Sequence, residues 1–135
     1  MSINKIKKKS SFTLIELVIT VTIVLTLATI AIPAYNKSKA KAISKEAISN
    51  IRLLAAAERI NRMENNVYAT CADAASCNSL FKLMLNTTNW LYAVTGDTSA
   101  VTATATYQPD HSCTYSLSSA NFDADPTKTG GGSCP

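Results

Sequence analysis

The sequence predicts an α+β fold in which a long N-terminal α-helix packs on a small antiparallel β-sheet. Three observations predict it. An apolar run extends from Phe12 to Tyr35 with Glu16 as its only charge. Apolar residues then recur at helical spacing as far as about Glu64. Beyond Thr88 the pattern changes to strict alternation, interrupted by turn residues.

The chain has 135 residues, of which 47% are hydrophobic and 16% charged. That suits one domain of ordinary size. It excludes a large multidomain enzyme, and it is too apolar for a disordered chain. A net charge of +4 invites a nucleic-acid reading. The position of the charge argues against it. Lys5, Lys7, Lys8 and Lys9 lie ahead of Ser10, and from Phe12 onward acidic and basic side chains balance.

Residues 1–11 form this basic leader. Residues 17–35 carry no charge, close to the roughly 20 residues a helix needs to cross a bilayer. Lysines on the N-terminal flank place that flank in the cytoplasm and the rest of the chain beyond the membrane. Five threonines interrupt the run. Each is tolerable because its hydroxyl bonds back to the preceding helical turn. Glu16 fits less easily. A carboxylate at the membrane boundary either reaches headgroups and water or has a partner. A secretory signal carries its small residues after the apolar core, whereas Ser10 and Ser11 precede it.

Lys7-Lys-Lys-Ser-Ser-Phe-Thr-Leu-Ile-Glu-Leu17, followed by an apolar run ending Ile30-Ala-Ile-Pro-Ala-Tyr35, resembles the class III signal of type IV pilins and pseudopilins. The resemblance implies that a prepilin peptidase cuts between Ser11 and Phe12, and that Phe12 is then N-methylated. It implies that Glu16, the fifth mature residue, pairs with the N-terminal amine of a neighbouring subunit during assembly. Such a cation is the partner that a carboxylate in a low-dielectric bundle needs. Two positions depart from the family pattern. Ser11 stands where Gly is usual, which implies slower processing or a peptidase that accepts Ser. Leu25 stands where many members have a mid-segment Gly. Pro33 is present, lacks a backbone donor and is expected to kink the helix.

From Asn36 the helix is expected to continue. Ile43, Ala47, Ile51 and Leu54 form its apolar stripe, widened by Ile48 and Ala55. Glu58 and Arg62 have the spacing of a surface ion pair. Asn65-Asn66 is a plausible stop, since Asn tolerates the left-handed cap. Unbroken from Phe12 to Arg62, such a helix measures about 77 Å. The predicted organisation is a cleaved leader (1–11), a membrane and filament-core helix (12–35) and a globular domain (36–135).

Residues 65–88 read as a connection with a short helical turn around Ser79–Leu85. Three strands follow, over Thr88–Thr95, Ala100–Tyr107 and Ser112–Ser118. Gly96–Ser99 and Gln108–His111 form the turns between them. Val101, Ala103, Ala105 and Tyr107 share one face, as do Cys113, Tyr115 and Leu117. Trp90, Tyr92 and Tyr115 are expected in the core rather than as adhesive surface aromatics. The tail from Ser119 reads as irregular.

Four cysteines in an exported domain point to two disulfides, and three pairings are possible. The resemblance favours Cys113–Cys134, as the C-terminal loop of many pilins is tied, and with it Cys71–Cys77. Closing a loop of roughly 20 residues is worth on the order of 3 kcal/mol. Metal candidates are weak. His111 near Cys113 lacks a C-x-x-C partner. Some pseudopilins bind calcium in a late acidic loop, which makes Asp123 and Asp125 candidates, but an Asx-type turn before Pro126 fits them better. No catalytic constellation and no cofactor motif is visible.

The resemblance implies a structural, non-enzymatic subunit of a type IV pilus. It implies an inner-membrane single-pass precursor and later an extracellular helical filament of this chain and other pilins. Prepilin peptidase, an inner-membrane assembly platform, a cytoplasmic ATPase and a secretin are the implied partners. The alternative is a pseudopilin of a periplasmic type II secretion pseudopilus. A DNA-uptake subunit and a monomeric membrane-anchored binding module are further readings. The first lacks a basic stripe, and the second leaves Glu16 without a reason.

Overall fold

The computed structural model describes residues 12–109, 111–131, 134 and 135. The leader lysines, Ser11 and the Asp110 position of the Gln108–His111 turn lie outside the described residues. The chain divides into two compact units, up to Ser38 and from Lys39 onward. Helix α1, Leu14–Asn65, runs through both.

In the first unit the helix is exposed on every side. The hydroxyls of Thr20, Thr22, Thr26 and Thr29 each donate to a carbonyl three or four residues back at 2.8 Å. These polar side chains are thereby satisfied within the helix itself. Pro33 lies inside α1, where its ring nitrogen has no hydrogen to donate.

In the second unit α1 buries Ala47, Ile51, Leu54, Ala55 and Glu58. The three- and four-residue steps place these side chains on one face. Ile43 and Ile48 pack partly buried against the same core. The helix stops at Asn65 because Asn66 adopts φ 60°, with its N–H on the Arg62 carbonyl at 2.9 Å.

Strands β1 (Trp90–Gly96), β2 (Val101–Tyr107), β3 (Thr114–Ser118) and β4 (Thr127–Thr129) form one antiparallel sheet in that order. Alternation sends Trp90, Tyr92 and Val94 of β1 to the buried face, with Val101, Ala103 and Ala105 of β2 beside them. Tyr115 and Leu117 continue that face on β3. Ala105 stands opposite both Tyr92 and Tyr115. The small central residue leaves room for the two large ones. Trp90 is fully buried, packs near the Tyr107 and Tyr115 rings and donates its indole N–H to the Ile43 carbonyl at 2.9 Å. Full burial of such a ring is worth about 3 kcal/mol. Asn50 donates to the Tyr92 hydroxyl at 2.8 Å, and Asn89 to Glu46 at 3.0 Å, so polar bonds as well as packing join helix to sheet. The β1–β2 turn requires Gly96, where φ is +143° and a Cβ would sit 2.2 Å from the Ala100 carbonyl oxygen.

Three local expectations are corrected. The helical turn expected around 79–85 is instead helix α2, Ala74–Phe81. Asp73 and Ser76 form a reciprocal capping box that starts it, and Lys82 in the left-handed conformation ends it. The tail is not wholly irregular. A 3₁₀ turn covers Ser119–Asn121, and β4 pairs with β3. All of β4 is exposed, so it offered no alternation to read. Glu58 and Arg62 do not form the expected surface pair: Glu58 is buried, and the Arg62 guanidinium lies over the Tyr68 ring, 4.5 Å from its centroid.

Candidate functional site

The described residues begin at Phe12, which is exposed. Thr13 caps α1. Its hydroxyl accepts the Glu16 N–H at 3.3 Å, and its carbonyl accepts the Leu17 N–H at 3.2 Å. Thr-x-x-Glu ahead of an apolar run is the sequence signature of a helix start. It marks this boundary, yet sequence reading assigned Glu16 only a pairing role. The cap fixes Glu16 in the first turn. There the helix dipole favours a negative charge.

Over residues 14–35, Glu16 and the self-bonded threonines apart, the first unit presents a surface without a polar side. Leu14, Leu17, Ile19, Val24, Leu27 and Ile30 are all more than half exposed and point in different directions around the axis. A helix that is apolar all round requires lipid or other helices about it. Among the described residues this is the one helix long and apolar enough to cross a membrane.

Residues 6–32 match the family model of the prokaryotic N-terminal methylation motif. The chain carries the class III prepilin signal of type IV pilins and pseudopilins. That signal is the one a pilin- or pseudopilin-like precursor carries, and the α+β architecture of long helix and four-stranded sheet is pilin-like. The prepilin signal implies processing by a prepilin peptidase and assembly with other pilins. Together with the apolar helix it fits an inner-membrane precursor. No curated protein and no solved structure matches the chain.

The remaining candidates lie in the second unit. Disulfides join Cys71 to Cys77 and Cys113 to Cys134. The first closes a short loop on the edge of β1, where Cys71 and Val94 exchange backbone hydrogen bonds of 3.0 and 2.8 Å. The second ties the C-terminal tail to the residue that precedes β3. Pro135 then accepts a hydrogen bond from the Ser44 hydroxyl of α1. With every cysteine in a disulfide, His111 has no thiolate beside it. Its N–H donates to the Tyr107 carbonyl at 2.9 Å, and its φ of 53° closes the β2–β3 turn.

Asp123 and Asp125 are drawn to separate cations. Arg59 pairs with Asp123 at 2.7 Å, and Arg52 pairs with Asp125. The guanidinium of Arg59 also lies over the Phe122 ring, and Phe122 packs edge-on against Tyr68. The tail is thus clasped to α1 by arginines one helical face apart from the core stripe. Among the described residues no three metal-ligating side chains converge.

Sequence reasoning missed Glu58. Its side chain is fully buried. One carboxylate oxygen accepts the Ala69 N–H at 3.2 Å, and the other has no partner. Burial holds its pKa above the ordinary 4.5, and the Ala69 hydrogen bond offsets this only in part. The signal was present in the spacing, because Glu58 continues the stripe of Ile51, Leu54 and Ala55. Burial likewise pushes the Tyr92 hydroxyl up to about 12.

Proposed function

We propose that this chain is a structural subunit of a type IV pilus. Prepilin peptidase cuts between Ser11 and Phe12, and Phe12 becomes the methylated N-terminus. Residues 12–35 hold the subunit in the inner membrane as a single pass, and residues 36–135 form the exported domain. An assembly platform driven by a cytoplasmic ATPase then moves it into a growing helical filament, which a secretin passes to the exterior. Adhesion, motility and DNA uptake are the functions such a filament serves. The protein acts through assembly and has no enzymatic step.

One observation carries this reading. An all-round apolar helix bears a single carboxylate, Glu16, in its first turn, four residues from the position where cleavage creates an amine. Apolar helices leaving lipid for one another gain little from hydrophobicity alone. Small packing gains and one buried charge pair then set the register of the stack, because an unpaired Glu16 in the bundle is strongly unfavourable. Pro33 provides a point at which the helix bends to follow its neighbours.

The pseudopilin reading uses the same signal. Mass spectrometry of a fraction sheared from the cell surface tests the assignment. A polymeric subunit beginning at methylated Phe12 supports it. A mature subunit confined to the periplasm overturns it in favour of the pseudopilus.

A further inference from the structure

Among the described residues Glu58 is the one carboxyl in the core, and the prepilin reading gives it no task. A buried carboxyl oxygen without a partner needs a physical explanation. Among the described residues no cation pairs with it. On α1, Arg59 is engaged with Asp123 and Arg62 with the Tyr68 ring. The strands β1, β2 and β3 contain no charged residue, and neither does α2. Asp73, ahead of α2, is held by Ser76. A carboxylate buried here without a paired cation is costly, so burial shifts the balance toward the neutral acid.

What Glu58 touches is the connection between α1 and the first disulfide. Three residues of one helical turn hold successive residues of that connection. Asn61 donates to the Val67 carbonyl at 3.0 Å, Arg62 covers the Tyr68 ring, and Glu58 accepts from Ala69. The Tyr68 N–H goes to the Thr98 carbonyl at 3.1 Å, and Cys71 then pairs with Val94. Of these contacts, Glu58 to Ala69 is the one made by a carboxyl; the hydrogen bond by itself favours the ionised form, and burial outweighs it.

We propose that Glu58 is a protonation-controlled latch, holding the connection Val67–Cys71 on α1 as a neutral acid and releasing it on ionisation. The closed form binds the proton more tightly than the open form. Closure is therefore complete below the ordinary carboxyl value of 4.5 and is lost as pH rises through the elevated value of the closed state. An exported domain meets the external pH directly, so the latch would register it. The inference stands whether or not the subunits polymerise.

Hydrogen exchange of the full chain in detergent, corrected for intrinsic rates and read from pH 5 to pH 8.5, tests the latch. Protection at residues 67–71 should fall with pH by up to about tenfold per unit within the titrating window. In Glu58→Gln the same amides should show no such dependence. A flat profile for the wild-type chain, or an equal fall in the variant, overturns the proposal. Infrared spectroscopy of the unmodified protein needs no variant. It should show a protonated-carboxyl band that persists at pH values where exposed carboxyls are ionised. Absence of that band overturns the proposal as well.

Discussion

Glu16 and Glu58 are two carboxyls in apolar settings with opposite solutions. Glu16 lies at a capped helix start and is exposed in the single chain. On the proposed filament reading burial reaches it on assembly, where a cation is needed. Glu16→Ala should therefore be cleaved normally and assemble poorly. Filament yield should fall about tenfold or more, since losing one partner of a buried pair costs about 3 kcal/mol. Comparing sheared filament with membrane-held mature subunit checks it, and undiminished yield would remove the pairing role. Glu58 is paired with no cation among the described residues, and burial raises its pKa instead. Because its folded pKa is raised, the folded state retains a proton that the unfolded chain has lost. Thermal stability should decline as pH climbs above 4.5, and Glu58→Gln should flatten that decline.

At the level of elements, caps and crosslinks set boundaries that hydrophobic pattern leaves open. The Asp73–Ser76 box begins α2, and Asp73→Ala should lower stability by about 1 kcal/mol. A denaturant titration would resolve that shift. The Cys113–Cys134 bridge spans 21 residues and secures a tail whose own strand is short and exposed. Replacing both cysteines with serine should cost about 2–4 kcal/mol and expose residues 127–135 to proteolysis. The arginine clasps are a weaker tether. Both aspartate side chains are highly exposed, so screening by salt leaves little net contribution from either pair.

For the molecule as a whole, charge changes with processing. The four leader lysines account for the entire net charge of +4, and a cut after Ser11 leaves side chains that balance. Mature subunits should therefore lack Lys7, Lys8 and Lys9 and focus at a lower pH than the precursor, whose sequence pI is about 8.9. A mature form that retains these lysines would contradict the cleavage position. A neutral subunit suits close stacking of many copies, since like-charge repulsion between them is small. On the same reading the lysines serve earlier, by orienting the precursor in the membrane.

Much of this was legible in the sequence because it is local. The apolar run, the Asn66 stop and the alternation of β1 to β3 each depend on neighbours a few residues away. The prepilin signal is likewise one contiguous segment. Tertiary structure decided what depends on distant partners. It placed β4 by pairing it with β3, seated the Cys71–Cys77 loop on the edge of β1, and gave Asp123 and Asp125 to arginines of α1. It also turned Glu58 from an apparent surface ion pair into a buried acid. Spacing along a helix assigns a residue to a face, but only the packed sheet determines how far around the helix the dry surface extends.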